Sequence, residues 1–147
     1  PYEWPVITQA WDYASQWSGG ATSRYTATPI RVTAGGDTTH DVALTTGSEV
    51  TGTFTNADGV PFKYGHVIAR NAETGDIAGH TWMENGQFTM RVTGPQRIFF
   101  TYDVTFQDER FFDGRYTVIK PDGTKTVPRF QVPASGTLTV DLVVPTD

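Results

Sequence analysis

Apolar and polar positions alternate along most of this chain, and turn residues interrupt the alternation at short intervals. The pattern is clearest from Glu49 to Val92. Val50 and Phe54 share a face across Gly52, and Phe88, Met90 and Val92 share another, because side chains on a strand repeat every second residue. Asp58-Gly59, Thr74-Gly75 and Asn85-Gly86 separate the runs. Dipeptides of this kind supply the positive φ that tight hairpins need, so a row of strands joined by hairpins is expected here. Further on, Gly94-Pro95 marks a turn and Gln96–Phe106 reads as a long aromatic strand. Residues 107–115 read as a charged loop. Tyr116–Ile119, Val127–Val132 and Thr137–Val144 read as strands, with Pro121-Asp122-Gly123 as a turn that has Pro in its favoured place.

Upstream the pattern is weaker. Residues 24–33 read as an edge strand, since Pro29 cannot donate to a ladder. Residues 34–37 read as a turn. Residues 38–44 read as another strand, with Val42 and Leu44 on one face. In residues 1–20 an extended chain puts Trp11 and Tyr13 on one face, while a helix over 8–17 lacks a cap and good helix formers. No helical period runs beyond about two turns, so the class is all-β. Strand parity assigns Val50, Phe54, Val67, Phe88, Met90, Phe100, Leu138, Val140 and Leu142 to a core.

The chain also resembles itself. At an offset of 100, Ile30 meets Phe130, Val32 meets Val132, Gly36 meets Gly136, Val42 meets Leu142 and Leu44 meets Val144. At an offset of 95, Trp11 meets Phe106, Trp17 meets Phe112 and Gly19 meets Gly114. Residues 1–45 therefore read as the tail of a preceding unit, and residues 46–147 as a full one. On this reading Trp11 and Trp17 are core residues.

Composition narrows the function classes. The 147 residues carry a net charge of -5 and scattered Lys and Arg, which argues against a nucleic-acid partner or a membrane surface. No stretch approaches the roughly 20 apolar residues of a spanning helix, so membrane insertion is not expected. There is no cysteine, which removes disulfides and thiol chemistry. Thr richness without cysteine fits bacterial surface modules, and the Pro1 start reads as a processed piece of something longer.

Within 47–88, Gly47 to Gly52, Asn56 to Pro61, Gly65 to Val67 and Glu84 to Phe88 resemble the turn and strand motifs of carboxypeptidase regulatory-like domains. That resemblance covers about 46–147, with Phe112–Gly114 similar to a later motif. It implies an antiparallel Ig-like or transthyretin-like β-sandwich of about seven strands, in a non-catalytic module of secreted or surface proteins. An isopeptide bond, known in related surface domains, would need a first-strand Lys; Glu49–Phe54 has none, although Asp141 sits where an acceptor would.

No nucleophile motif, zinc motif or phosphate loop occurs, and the carboxylates Asp108, Glu109 and Asp113 read as a solvated loop, so an enzyme is not expected. Neither is a cofactor or a metal. A two-residue turn at Thr74-Gly75 would put His66 and His80 on opposite faces. Asn56, Asp58 and Asp76 suit turn capping better than calcium. The aromatic residues are the best binding signal, because sugars stack on exposed rings. Tyr2, Trp4 and Trp82 lack core partners and are the candidate glycan contacts. The function expected is a structural and adhesive module, with a carbohydrate-binding accessory module and a virion or filament subunit as alternatives. The expected partners are other domains of a precursor, neighbouring chains, or polysaccharide.

Overall fold

In a computed structural model, which describes residues 1–146, strands alternate with turns throughout. The first four strands are short: β1 (Tyr2–Trp4), β2 (Ile7–Thr8), β3 (Gln16–Trp17) and β4 (Ile30–Val32). Longer strands follow: β5 (Ser48–Thr55), β6 (Tyr64–Asn71), β7 (Ile77–Glu84), β8 (Gln87–Val92) and β9 (Gln96–Thr105). The order closes with β10 (Phe111–Arg115), β11 (Val118–Ile119), β12 (Lys125–Thr126), β13 (Phe130–Val132) and β14 (Thr137–Val143). No helix occurs among the described residues, and the all-β class is what the fold has.

One eight-stranded sheet, in the order β10-β9-β6-β7-β8-β5-β14, carries the core, with β13 beside β10 on the same edge of β9. β7 and β8 pair only at Glu84 and Gln87, so the sheet parts beyond the Asn85-Gly86 turn and curls on itself. Phe54 of β5 then meets Tyr102 of β9 edge to face at 5.1 Å, and Phe88 of β8 meets Phe100 at 6.1 Å. Such ring pairs add to the burial of the rings themselves. The result is sandwich-like, with one core between the arms. Val50, Phe54, Val67, Phe88, Met90, Phe100, Val140 and Leu142 are buried there and Leu138 is half-buried against them. The ladders are antiparallel except for one. β14 runs parallel to β5, from Thr137 opposite Glu49 to Val143 opposite Thr55.

Several local expectations change. Residues 111–115 are not loop but β10, paired with Thr101–Thr105. Residues 38–44 take part in no ladder among the described residues, and only Ile30–Val32 of 24–33 is a strand. Trp11 and Tyr13 lie in a turn closed by the Tyr13 N–H on the Ala10 carbonyl (3.2 Å), so Trp11 is 91% exposed rather than core. The β6–β7 connection is longer than Thr74-Gly75. The Asn71 carboxamide oxygen accepts from the Glu73 and Thr74 N–H groups and holds a four-residue loop. That loop and a bulge after Ala69 set His66 opposite Trp82 and Ile68 opposite His80. His66 and His80 therefore share the outer face, against the expectation, on diagonal positions.

The N-terminal residues form two small ladders, β1 with β4 and β2 with β3. Ser18 joins them: its N–H donates to Val6 O (2.8 Å) and its hydroxyl to Thr28 O (2.6 Å). This segment docks on one end of the large sheet. The Ala14 N–H donates to Thr45 O (2.9 Å), the Thr93 hydroxyl donates to Ser15 O (3.0 Å), and Asp76 accepts from the Arg24 N–H (2.9 Å) and guanidinium (3.1 Å). The Asp76 carboxylate is 5% exposed while the Arg24 side chain is half exposed, so the joint is enclosed on its acid side.

Candidate functional site

The outer face of β6 and β7 carries a mixed aromatic and charged cluster. Alternation points Tyr64, His66 and Trp82 away from the core, while Gly65, Val67 and Met83 point into it. Tyr64 and Trp82 occupy diagonal positions across the two strands. Their rings lie nearly parallel, 11° apart with centroids 5.8 Å apart. His66, directly opposite Trp82, meets it edge to face at 4.9 Å. Its Nδ1 lies 3.1 Å from Asp103 Oδ1 on the neighbouring strand β9. Gly65 has φ +146°, and a Cβ there would fall on the Asp103 carbonyl oxygen. Glycine at 65 thus lets β9 bring Asp103 against His66.

Charge closes the other side of the rings. Lys63 pairs with Glu109, and its ammonium sits over the Tyr64 ring at 5.7 Å. Glu109 also accepts from the Tyr64 hydroxyl at 3.4 Å. The hydrogen bond and then the charge of Lys63 hold the Glu109 carboxyl below its usual range; the same contacts raise Lys63. At Asp108, burial pushes the carboxyl up, but Arg110 outweighs it through its N–H, guanidinium and charge, so Asp108 also lies low. The 107–110 turn therefore stays anionic at neutral pH. Trp82 is 53% exposed and offers an apolar ring to solvent inside a rim of donors and acceptors. Chemically, this face suits a flat ligand with one apolar side and hydrogen-bonding edges.

The three residues singled out from sequence do not form one site. Tyr2 and Trp4 are exposed on β1, opposite Val32 and Ile30. They belong to the N-terminal segment, which is tied to the sheet at Asp76 and Val92 and borders His80 and Thr81 through its residues 9–15. No ring contact joins them to Trp82 among the described residues. Tyr64, His66, Lys63 and Glu109 were not singled out as binding residues. What brings them onto one face is the bulge after Ala69, which shifts the register by one residue. Trp17 is half-buried, and its Nε1–H has no hydrogen-bond partner among the described residues. Asn56 caps its own turn, accepting from the Asp58 and Val60 N–H groups, and Asp76 is occupied by Arg24. No group of three or more metal-ligating side chains stands together among the described residues. Comparison of the chain with family models, curated proteins and solved structures yields no match.

Proposed function

We propose that this chain is a non-catalytic β-sandwich module of a secreted or cell-surface bacterial protein, acting in structure and adhesion. The resemblance of 46–147 to carboxypeptidase regulatory-like domains, with an Ig-like or transthyretin-like sandwich, belongs to the same reading. The observation that carries it is the parallel ladder between β5 and β14, the first and last long strands of the sheet. Tension drawing Ser48 and Val143 apart pulls these two strands in opposite directions along their axes. All the hydrogen bonds of the ladder are then loaded together in shear, rather than opened one by one from an end. Such an arrangement suits a module under tension between neighbouring domains. Single-molecule stretching of linked copies is expected to give one resolved force peak per copy. Extension with no peak above the noise would remove the structural reading.

A second reading, a carbohydrate-binding accessory module, is favoured by the parallel Tyr64–Trp82 pair. Its test is titration with a panel of polysaccharides. Trp emission should respond, and Trp82→Ala should weaken binding at least about fivefold, consistent with loss of a stacking contact of about 1 kcal/mol or more. Silence at millimolar sugar across the panel leaves the structural role alone.

A further inference from the structure

We infer that residues 1–45 are the closing half of a second β-unit, whose open edge takes an opening half of the Ser48–Val92 kind, carried on the polypeptide that leads into Tyr2. The inference is independent of the glycan reading and of the tension reading.

The argument is a match of pairings, not of composition. β9 carries β13 at its N-terminal end and β10 at its C-terminal end, both on one edge. β1 and β2, parted only by Pro5-Val6, carry β4 and β3 in the same arrangement. The registers correspond. Trp4 faces Ile30 as Ile98 faces Phe130, and Tyr2 faces Val32 as Gln96 faces Val132. The Ser18 N–H donates to Val6 O at 2.8 Å, as the Tyr116 N–H donates to Phe100 O at 2.8 Å. β4 and β13 lie 100 residues apart with the same bounds, and Pro1 precedes Tyr2 as Pro95 precedes Gln96. This register also corrects the sequence comparison. Ile7 matches Thr101 and Trp17 matches Arg115, so Trp17 is not the counterpart of Phe112.

What the first unit lacks is equally specific. The other edge of β9 is filled by β6, and β14 by β5. The corresponding edge of β1 and β2 is unpaired among the described residues, and so are residues 38–44, which match β14. Side chains follow. Ile98, Phe100 and Leu142 are fully buried, whereas their counterparts Trp4, Val6 and Val42 are exposed. A groove of about 680 Å³ runs between that segment (His40, Asp41, Val42, Thr45) and the turns of the large sheet at Thr93, Gly94, Ala134 and Ser135. Apolar, unpaired strand edges of this sort are completed by strand addition. The occupied half of the same chain is the template: a β6-like strand antiparallel to β1 and β2, and a β5-like strand parallel to 38–44. A second copy is a poor donor, because its own Ser48–Val92 already covers its own β9 and β14.

The test compares the full chain with the same chain carrying a second copy of residues 46–94 ahead of Pro1. Amide exchange at Ile7 and residues 38–44 is expected to slow by roughly 100-fold on fusion. Trp emission is expected to shift to the blue as Trp4 leaves water. Unchanged exchange at those amides overturns the inference, whether the added segment folds apart or stays unfolded. Concentration-dependent protection of the same amides in the unfused chain assigns the edge to a second copy and also overturns it. Ile68→Pro within the added copy removes a ladder donor from the docking strand, and the protection is expected to vanish. Its persistence overturns the proposed pairing.

Discussion

Single residues here act through what they leave available to water. Trp82 stays half exposed although Tyr64 stacks on it and His66 meets it edge to face. The Lys63–Glu109 pair steadies Tyr64, and its pH behaviour can be worked out. Glu109 has its folded pKa held below the ordinary 4.5, so its contribution is present above that value and lost as pH falls through the folded pKa. Lys63 has its pKa raised above 10.5, so its contribution is present below that value and lost as pH rises through the folded pKa. Glu109→Gln should therefore lower Tm slightly at neutral pH. The difference from the parent should close below pH 4 in a thermal melt series. A difference that persists at pH 2 would mean that the pair is not its source. Both side chains are exposed, so the effect is small and weakened by salt.

At the scale of elements, turns decide where chemistry falls. Asn85-Gly86 forms the two-residue hairpin that its sequence announces, with φ 50° and 70°. Thr74-Gly75 carries a similar signal but does not make the same turn, because Asn71 caps the loop three residues earlier. The longer loop keeps the parity of the pairing, and it is the one extra residue in the bulge after Ala69 that reverses which face each side chain takes. That is why the outer cluster of Tyr64, His66 and Trp82 was not legible while the core was. β10 was hidden for a related reason. Its Asp113, Gly114 and Arg115 are exposed on an edge, where burial imposes no alternation. Docking of the N-terminal segment rests on a few polar ties, with Asp76 the most enclosed. Asp76→Ala removes a charge-assisted hydrogen bond from the Arg24 N–H, at a cost of about 1–3 kcal/mol. Amide exchange across residues 14–28 should rise while the melt of the large sheet stays in place. Coincident loss of both would mean that the segment and sheet form one cooperative body.

For the whole molecule, the large sheet lies entirely within Ser48–Val143 and owns the main core. Residues 46–147 are expected to fold alone and give a dispersed amide spectrum. Residues 1–45 alone should be disordered, since β1 to β4 form only two- and three-residue ladders and such isolated pairs are marginal in water. A dispersed spectrum from 1–45, or a collapsed one from 46–147, would refute the division near Thr46.

Period-two alternation and turn residues by themselves determined the all-β class, most strands after Glu49 and the core residues from Val50 to Leu142, because a strand with one buried face must alternate. They also showed the likeness between Ile30–Val32 and Phe130–Val132. Tertiary structure alone decided the parallel seat of β14, the shared face of His66 and His80, the exposure of Trp11 and the open edge of β1. Each of these depends on which strands become neighbours and in what register. That choice is made by contacts far apart in sequence, such as Phe54 with Tyr102 and Arg24 with Asp76, and local pattern carries no record of it.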